Sequence, residues 1–138
     1  MYLWGMIRLR DKTKTLTMDQ SYALVMMTMR WCEKFFTPPH TKRRSALCVM
    51  VHCSPAREVY GEYCERRNWL TINLSYCDDV KDIVKTTIHE YTHLCQNLKE
   101  YALMTKQVGY DDNPFEIEAR YNEDTYYTNC WRFIKRNL

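Results

Sequence analysis

Glycine is scarce in this chain, three residues in 138, and proline is hardly commoner at four. Nothing resembling a Gly/Ser linker, a repeat or a low-complexity tract divides it, so the expectation is one domain spanning 1–138. No apolar run approaches the roughly 20 residues that a membrane-spanning helix needs. The opening MYLWGMIRLR lacks the basic lead and long apolar stretch of a secretory leader. An excess of one charge is also missing: 20 Lys and Arg against 17 Asp and Glu leave +3. The basic clusters, Lys42-Arg43-Arg44 and Arg66-Arg67, are too short for the stripe that marks a nucleic-acid binder. Neither nucleic acid nor membrane is therefore an expected partner. Cysteine is present seven times, but the number is odd and no CxxC occurs. Several cysteines sit inside apolar runs as small hydrophobes, which points to free thiols in a reducing, cytoplasmic setting.

What is present is an apolar and aromatic chain, 46 % and 14 %, long enough to bury a core without staples. Tyr2 to Leu9 is a weak strand candidate. Thr17 and Gln20 match a capping box at a helix start. The helix that follows places Met18, Tyr22, Val25, Met26, Met29 and Phe36 on one face, and Pro38-Pro39 ends it. Ser45 to Cys53 reads as a central buried strand. Glu58 to Tyr63 and Trp69 to Tyr76 read as a hairpin turned at Glu65 to Asn68. The second of these alternates, with Leu70, Ile72 and Leu74 opposite Trp69, Thr71 and Asn73, as suits a sheet edge or cleft wall. A helix capped at Asp78 or Asp79 runs to about Leu98, Lys99 to Asp112 is a loop or broken turn, and Asn113-Pro114 opens a final helix.

The chemistry gathers in TIHEYTHL, Thr87 to Leu94. Val80, Ile83, Val84, Ile88, Tyr91 and Leu94 form the apolar stripe of this helix. His89 and His93 lie about 165° and about 155° from its centre, on opposite sides, so they share a face turned from the core. Two imidazoles one turn apart can reach a single Zn²⁺, with Glu90 beside it. Zinc makes water acidic near neutrality, and Glu90 is placed to take the proton and pass it to a leaving amine. A catalytic zinc needs a third protein ligand. His52-Cys53, Cys64 and Cys77 fit no zinc-finger spacing, and His40 reads as a loop residue.

TIHEYTHLCQ followed by NPFEIEARYNE resembles the gluzincins, zinc peptidases with HExxH on one helix and a glutamate ligand on a later one. The resemblance covers about Trp69 to Asp124, and compact minigluzincins and small phage-encoded zincins are nearest in size. Their E-x-x-A pattern falls on Glu116 to Ala119, which implies Glu116 as third ligand. Two alternatives stand beside it. Glu118, about 200° away around the helix, is the rival ligand, and Glu116 at the third helical position could instead close a capping box on Asn113. Many gluzincins place Asp four residues after the ligand Glu to orient a histidine. This chain has Arg120 there, which leaves the orienting group unassigned.

The resemblance implies a small α+β zincin-like domain, a mostly antiparallel sheet packed on the motif helix with a C-terminal ligand helix. It also implies a zinc metalloendopeptidase with His89, His93 and Glu116 as ligands and Glu90 as general base. A peptide or protein substrate would pair along the edge strand Trp69 to Tyr76, and Tyr110, Tyr121 or Tyr127 would assist at the oxyanion. The alternative is a zincin-like regulatory or binding module that holds zinc without turnover.

Overall fold

The computed structural model of the chain describes residues 7–36 and 47–137. Its elements are α1 (Met18–Phe35), β1 (Cys48–His52), β2 (Gly61–Cys64), β3 (Trp69–Asn73), α2 (Val80–Leu94), α3 (Leu98–Val108) and α4 (Pro114–Arg136). The expected α+β architecture, with a mostly antiparallel sheet, is overturned. Among the described residues helix takes up 60 % and strand 13 %, and the sheet is a small open one of three strands. It is not mostly antiparallel either, since β1 runs parallel and β2 antiparallel to β3.

Two physical causes account for the difference. The segment expected as a loop contains α3, whose N-cap Asn97 accepts from the amides of Lys99 and Glu100 at 3.1 and 3.2 Å. Leu98 to Val108 is built of good helix formers with no glycine or proline, and Gly109, at φ 84°, stops it. None of its residues is fully buried: Leu98, Tyr101 and Met104 are half-buried, while Leu103 and Val108 are exposed. The strands, in turn, are short. Of the expected apolar strand Ser45 to Cys53, Ser45 and Ala46 lie outside the described residues, and the rest forms a strand only over Cys48–His52, at an edge, because the order is β1-β3-β2. The alternating strand expected at the edge is the middle one, with Leu70 and Ile72 fully buried. The hairpin expectation holds: Gly61 pairs with Ile72 and Cys64 with Trp69. Its turn closes with Asn68 at φ 53°, a conformation Asn tolerates well.

The capping box of α1 is made, Thr17 Oγ1 accepting from the Gln20 amide at 3.0 Å and Gln20 Oε1 from the Thr17 amide at 2.9 Å. Its buried face overlaps the expected one in part, at Val25 and Met29. Leu24, Val25, Thr28 and Cys32 are fully buried, whereas Met18 and Tyr22 are exposed. The N-terminal strand candidate lies mostly outside the described residues, and Ile7 to Leu9 form no strand. Pro38-Pro39 and His40 also lie outside them.

The motif helix α2 is the centre of the core, packed on α1 and α4 and touching the sheet. Ile83, Val84 and Ile88 meet Leu24, Val25, Cys130 and Ile134 in one cluster. Each such side chain contributes about 1.5–3 kcal/mol by leaving water. All seven cysteines are free thiols, and Cys32 and Cys130 sit here as small apolar groups. No helix among the described residues is long and apolar enough to cross a membrane.

At Gly61 the strand β2 meets α2 backbone to side chain. A Cβ there would lie 2.8 Å from Thr71 O, 3.0 Å from Thr86 Cγ2 and 3.1 Å from Glu90 Cγ. Gly61→Ala is expected to cost about 1–3 kcal/mol as a lowered unfolding midpoint in thermal denaturation. An unchanged midpoint would mean that β2 can back away from α2 freely.

Candidate metal centre

Asp79 caps α2, accepting from the Asp82 amide at 2.9 Å, and the apolar stripe seats the helix on the core. His89 and His93 therefore look away from the aliphatic interior, as the angular count has it. They do not look into solvent, because α3 and α4 cover them. Their side chains are 14 % and 12 % exposed.

The start of α4 is held by Asn113, which is fully buried. Its Oδ1 accepts from the Phe115 amide at 3.0 Å. Its Nδ2 donates to Tyr101 O and Thr105 Oγ1 of α3 at 3.0 and 2.9 Å. With Pro114 in the first turn, this places Glu116 under the histidines. No capping box forms, since the Asn113 amide goes to Tyr110 O and the Glu116 carboxylate turns inward, 1 % exposed. His89 Nε2 lies 2.7 Å from Glu116 Oε1 and His93 Nε2 lies 3.2 Å from Oε2. The hydroxyls of Tyr110 and Tyr101 donate to the same two oxygens, each at 2.9 Å. Glu118 is exposed and accepts from Gln96 Nε2 at 2.8 Å.

One donor atom from each of His89, His93 and Glu116 lies within 4.8 Å of the others. Ligand atoms around a tetrahedral zinc, each about 2.1 Å from the ion, stand roughly 3.4 Å apart. The cluster needs only small side-chain adjustments to reach that spacing. Its chemistry, two neutral imidazoles and a carboxylate, also suits zinc. It is a buried site able to coordinate a divalent metal.

Both imidazoles are oriented from behind. His89 Nδ1 lies 2.7 Å from Glu123 Oε1, and an ionised carboxylate can only accept, so Nδ1 carries the proton. His93 Nδ1 lies 2.8 Å from Gln96 Oε1. The amide orientation follows from its other end, where Nε2 donates to Phe115 O and Glu118 Oε1, both at 2.8 Å. Each ring thus turns its Nε2 toward Glu116, the arrangement that outer partners give to metal-ligating histidines. Sequence reasoning missed Glu123 and Gln96. Their spacing carried a signal: Gln96 stands one turn beyond His93, and Glu123 two turns beyond Glu116. Tyr101 was hidden with α3. Arg120, four residues after Glu116, donates to Asp111 O and orients neither histidine. Tyr121 is exposed and Tyr127 lies under Lys81, so of the three tyrosine candidates only Tyr110 reaches the cluster.

Burial alone would lower the His89 pKa, but hydrogen bonds to Glu116 and Glu123 outweigh it and raise it to about 10. His93 is likewise raised against burial by Glu116. Burial opposes ionisation of Glu116, yet the two histidines hold its carboxyl well below the usual range. A chelated protein at pH 7 therefore keeps His89 protonated, and an incoming metal must displace that proton. Zinc uptake is expected to release at least about one proton per chain, measured from the buffer dependence of the calorimetric enthalpy, with affinity rising as pH rises. Release of none would show that the imidazoles are not ligands.

An open cleft of about 370 Å³ reaches the cluster from the β2 side, lined by residues 58–61 and by Asp82, Lys85, Thr86, His89, Glu90, Tyr110 and Glu123. Glu90 is 7 % exposed and accepts no hydrogen bond among the described residues. Burial pushes its carboxyl up to about 7, against the pull of both histidines. His52, considered from sequence, instead contacts Ser54 Oγ through Nδ1 at 2.8 Å. No family model, curated protein or solved structure matches the chain.

Proposed function

We propose that this chain is a zinc-dependent endopeptidase of the gluzincin type. The observation that supports it most is the placement of Glu90, a buried carboxylate without a hydrogen-bond partner, on the wall of the cleft that ends at the His-His-Glu cluster. Zinc held by His89, His93 and Glu116 would supply Lewis acidity, acidifying water and polarising a peptide carbonyl.

The chain's own residues do the rest. Glu123 and Gln96 fix the imidazoles in the tautomer that presents Nε2. Glu90, with its carboxyl near 7, takes a proton from water in the cleft at neutral pH and hands it to the departing amine nitrogen. Tyr110, at the cleft wall, would turn its one hydroxyl proton from Glu116 Oε1 to the carbonyl oxygen as that oxygen gains charge. An extended peptide lies along β2 and the residues leading into it, not along β3, since β2 is the edge strand beside α2. Gly61 keeps that backbone close to Glu90.

Protein purified without chelator is expected to carry about one zinc per chain by elemental analysis. It should cleave an unfolded protein substrate, stop when chelated and recover on zinc addition. Zinc without turnover would favour the regulatory or binding module instead. Absence of zinc, with none taken up on reconstitution, would remove both readings.

A further inference from the structure

The cleft does not share the charge of the chain. Overall the protein is +3. Four carboxylates, Glu58, Asp82, Glu90 and Glu123, line the cleft against the single ammonium of Lys85. That ammonium is already engaged from the far side: Lys85 Nζ lies 2.6 Å from Asp124 Oδ1 and 4.0 Å from Glu123 Oε2. Glu123 is itself committed to His89. Asp82 accepts only the Asp78 amide through Oδ2, at 2.9 Å. Neither Asp82 nor Glu58 meets a cation among the described residues. One comes from the first turn of α2 and the other from the lead-in to β2, so two carboxylates outside any ion pair belong to the two walls of one cleft.

A row of acidic residues on a helix would be an ordinary solvated face. This one differs because it continues into a cleft ending at Glu90, which is more than nine-tenths buried and unpartnered. The Glu90 carboxylate opens into the cleft, so it is available to whatever group enters there. The same cleft therefore has a reacting end and a charged approach.

We infer that the cleft selects peptide segments carrying a Lys or Arg side chain close to the bond that lies at the His-His-Glu cluster. The segment's backbone lies on the β2 edge, and its cationic side chain projects between Glu58 and Asp82. The inference rests on the peptidase reading for its substrate, but its selectivity is measurable without turnover. Fields inside a cleft of one sign also raise the local concentration of oppositely charged ligands, so the effect falls with ionic strength.

The test uses one unstructured fluorescent peptide with a single Lys walked along it, and matched peptides with Glu or acetyl-lysine at each place. Binding to the zinc-supplemented Glu90→Gln protein is read by fluorescence anisotropy, and hydrolysis by wild type is followed in parallel. In at least one position Lys is expected to bind roughly tenfold tighter than Glu, with acetyl-lysine between them. In Glu58→Gln/Asp82→Asn, which keeps the Asp78 cap acceptor, the advantage should shrink to about twofold, and 0.5 M salt should have a similar effect. Equal binding of the Lys and Glu peptides at every position overturns the inference, as does an advantage that survives the double substitution. The peptidase reading fails separately. A Lys preference in binding with no hydrolysis by wild type would keep the selectivity and discard the peptidase, and hydrolysis without preference would do the reverse.

Discussion

Glu90→Gln is expected to retain its zinc and lose turnover by about a thousandfold. The amide is nearly isosteric with the carboxylate, so the wall of the cleft and the packing of Gly61 on Cγ are preserved. What disappears is the capacity to accept a proton at neutral pH. A stability measurement separates this from damage to the fold. In the chelated protein the Glu90 carboxyl titrates near 7, raised by burial above its ordinary value of 4.5. Ionisation is thus harder in the folded than in the unfolded chain. The cost grows as pH rises from 4.5 to 7 and is fully present above 7. Glutamine removes that cost, so at pH 8 the variant should melt no lower than wild type. Undiminished hydrolysis with zinc bound would mean that another group is the base.

The second large effect is expected at Glu116. Its removal takes one donor from three and leaves two tyrosine hydroxyls and two imidazoles facing a hole. Glu116→Ala should weaken zinc binding by at least about a hundredfold, more than loss of an outer partner does, and end hydrolysis. Glu118→Ala should do neither. Glu118 only shares the Gln96 amide with Phe115 O, and Gln96 keeps that second anchor and its hold on His93 when Glu118 is gone. Competition with a chromophoric zinc chelator measures both variants. Zinc lost only with Glu118→Ala would transfer the ligand role to Glu118. Zinc kept in both would require a third ligand outside α4.

Helix α2 was legible because it carries a strong period: its stripe told which side met the core, and the histidines followed from the angle left over. The angular count likewise put Glu116 nearer the packed face than Glu118, and their burial agrees with it. Helix α3 is a weaker case, since its apolar residues divide between half-buried Leu98, Tyr101 and Met104 and exposed Leu103 and Val108, and it is tied down by Asn97, Asn113 and Tyr101. Alternation in β3 reported its faces correctly but not its neighbours, because a period of two says nothing about which strand lies beside which. The α+β expectation failed on those two points together. Glu123 was not legible because the gluzincin resemblance points four residues past Glu116, to Arg120, whereas seven residues return to the same side of a helix after two turns.

Gln96 makes metal affinity and helix docking two readings of one quantity. Its single amide grips His93 on α2 and, from the other end, both Phe115 and Glu118 on α4. Whatever draws α4 toward α2 also aligns the ring that an ion would grip, and an ion gripping that ring holds the helices together. Binding and folding are then reciprocal, each strengthening the other by the same factor. A substitution in the remote part of the seam, at Cys130 or Ile134, touches no ligand, yet it would surface as a weaker zinc constant. A screen that scored only zinc retention would recover core residues alongside ligands, and the two classes would separate only when affinity was compared at matched stability.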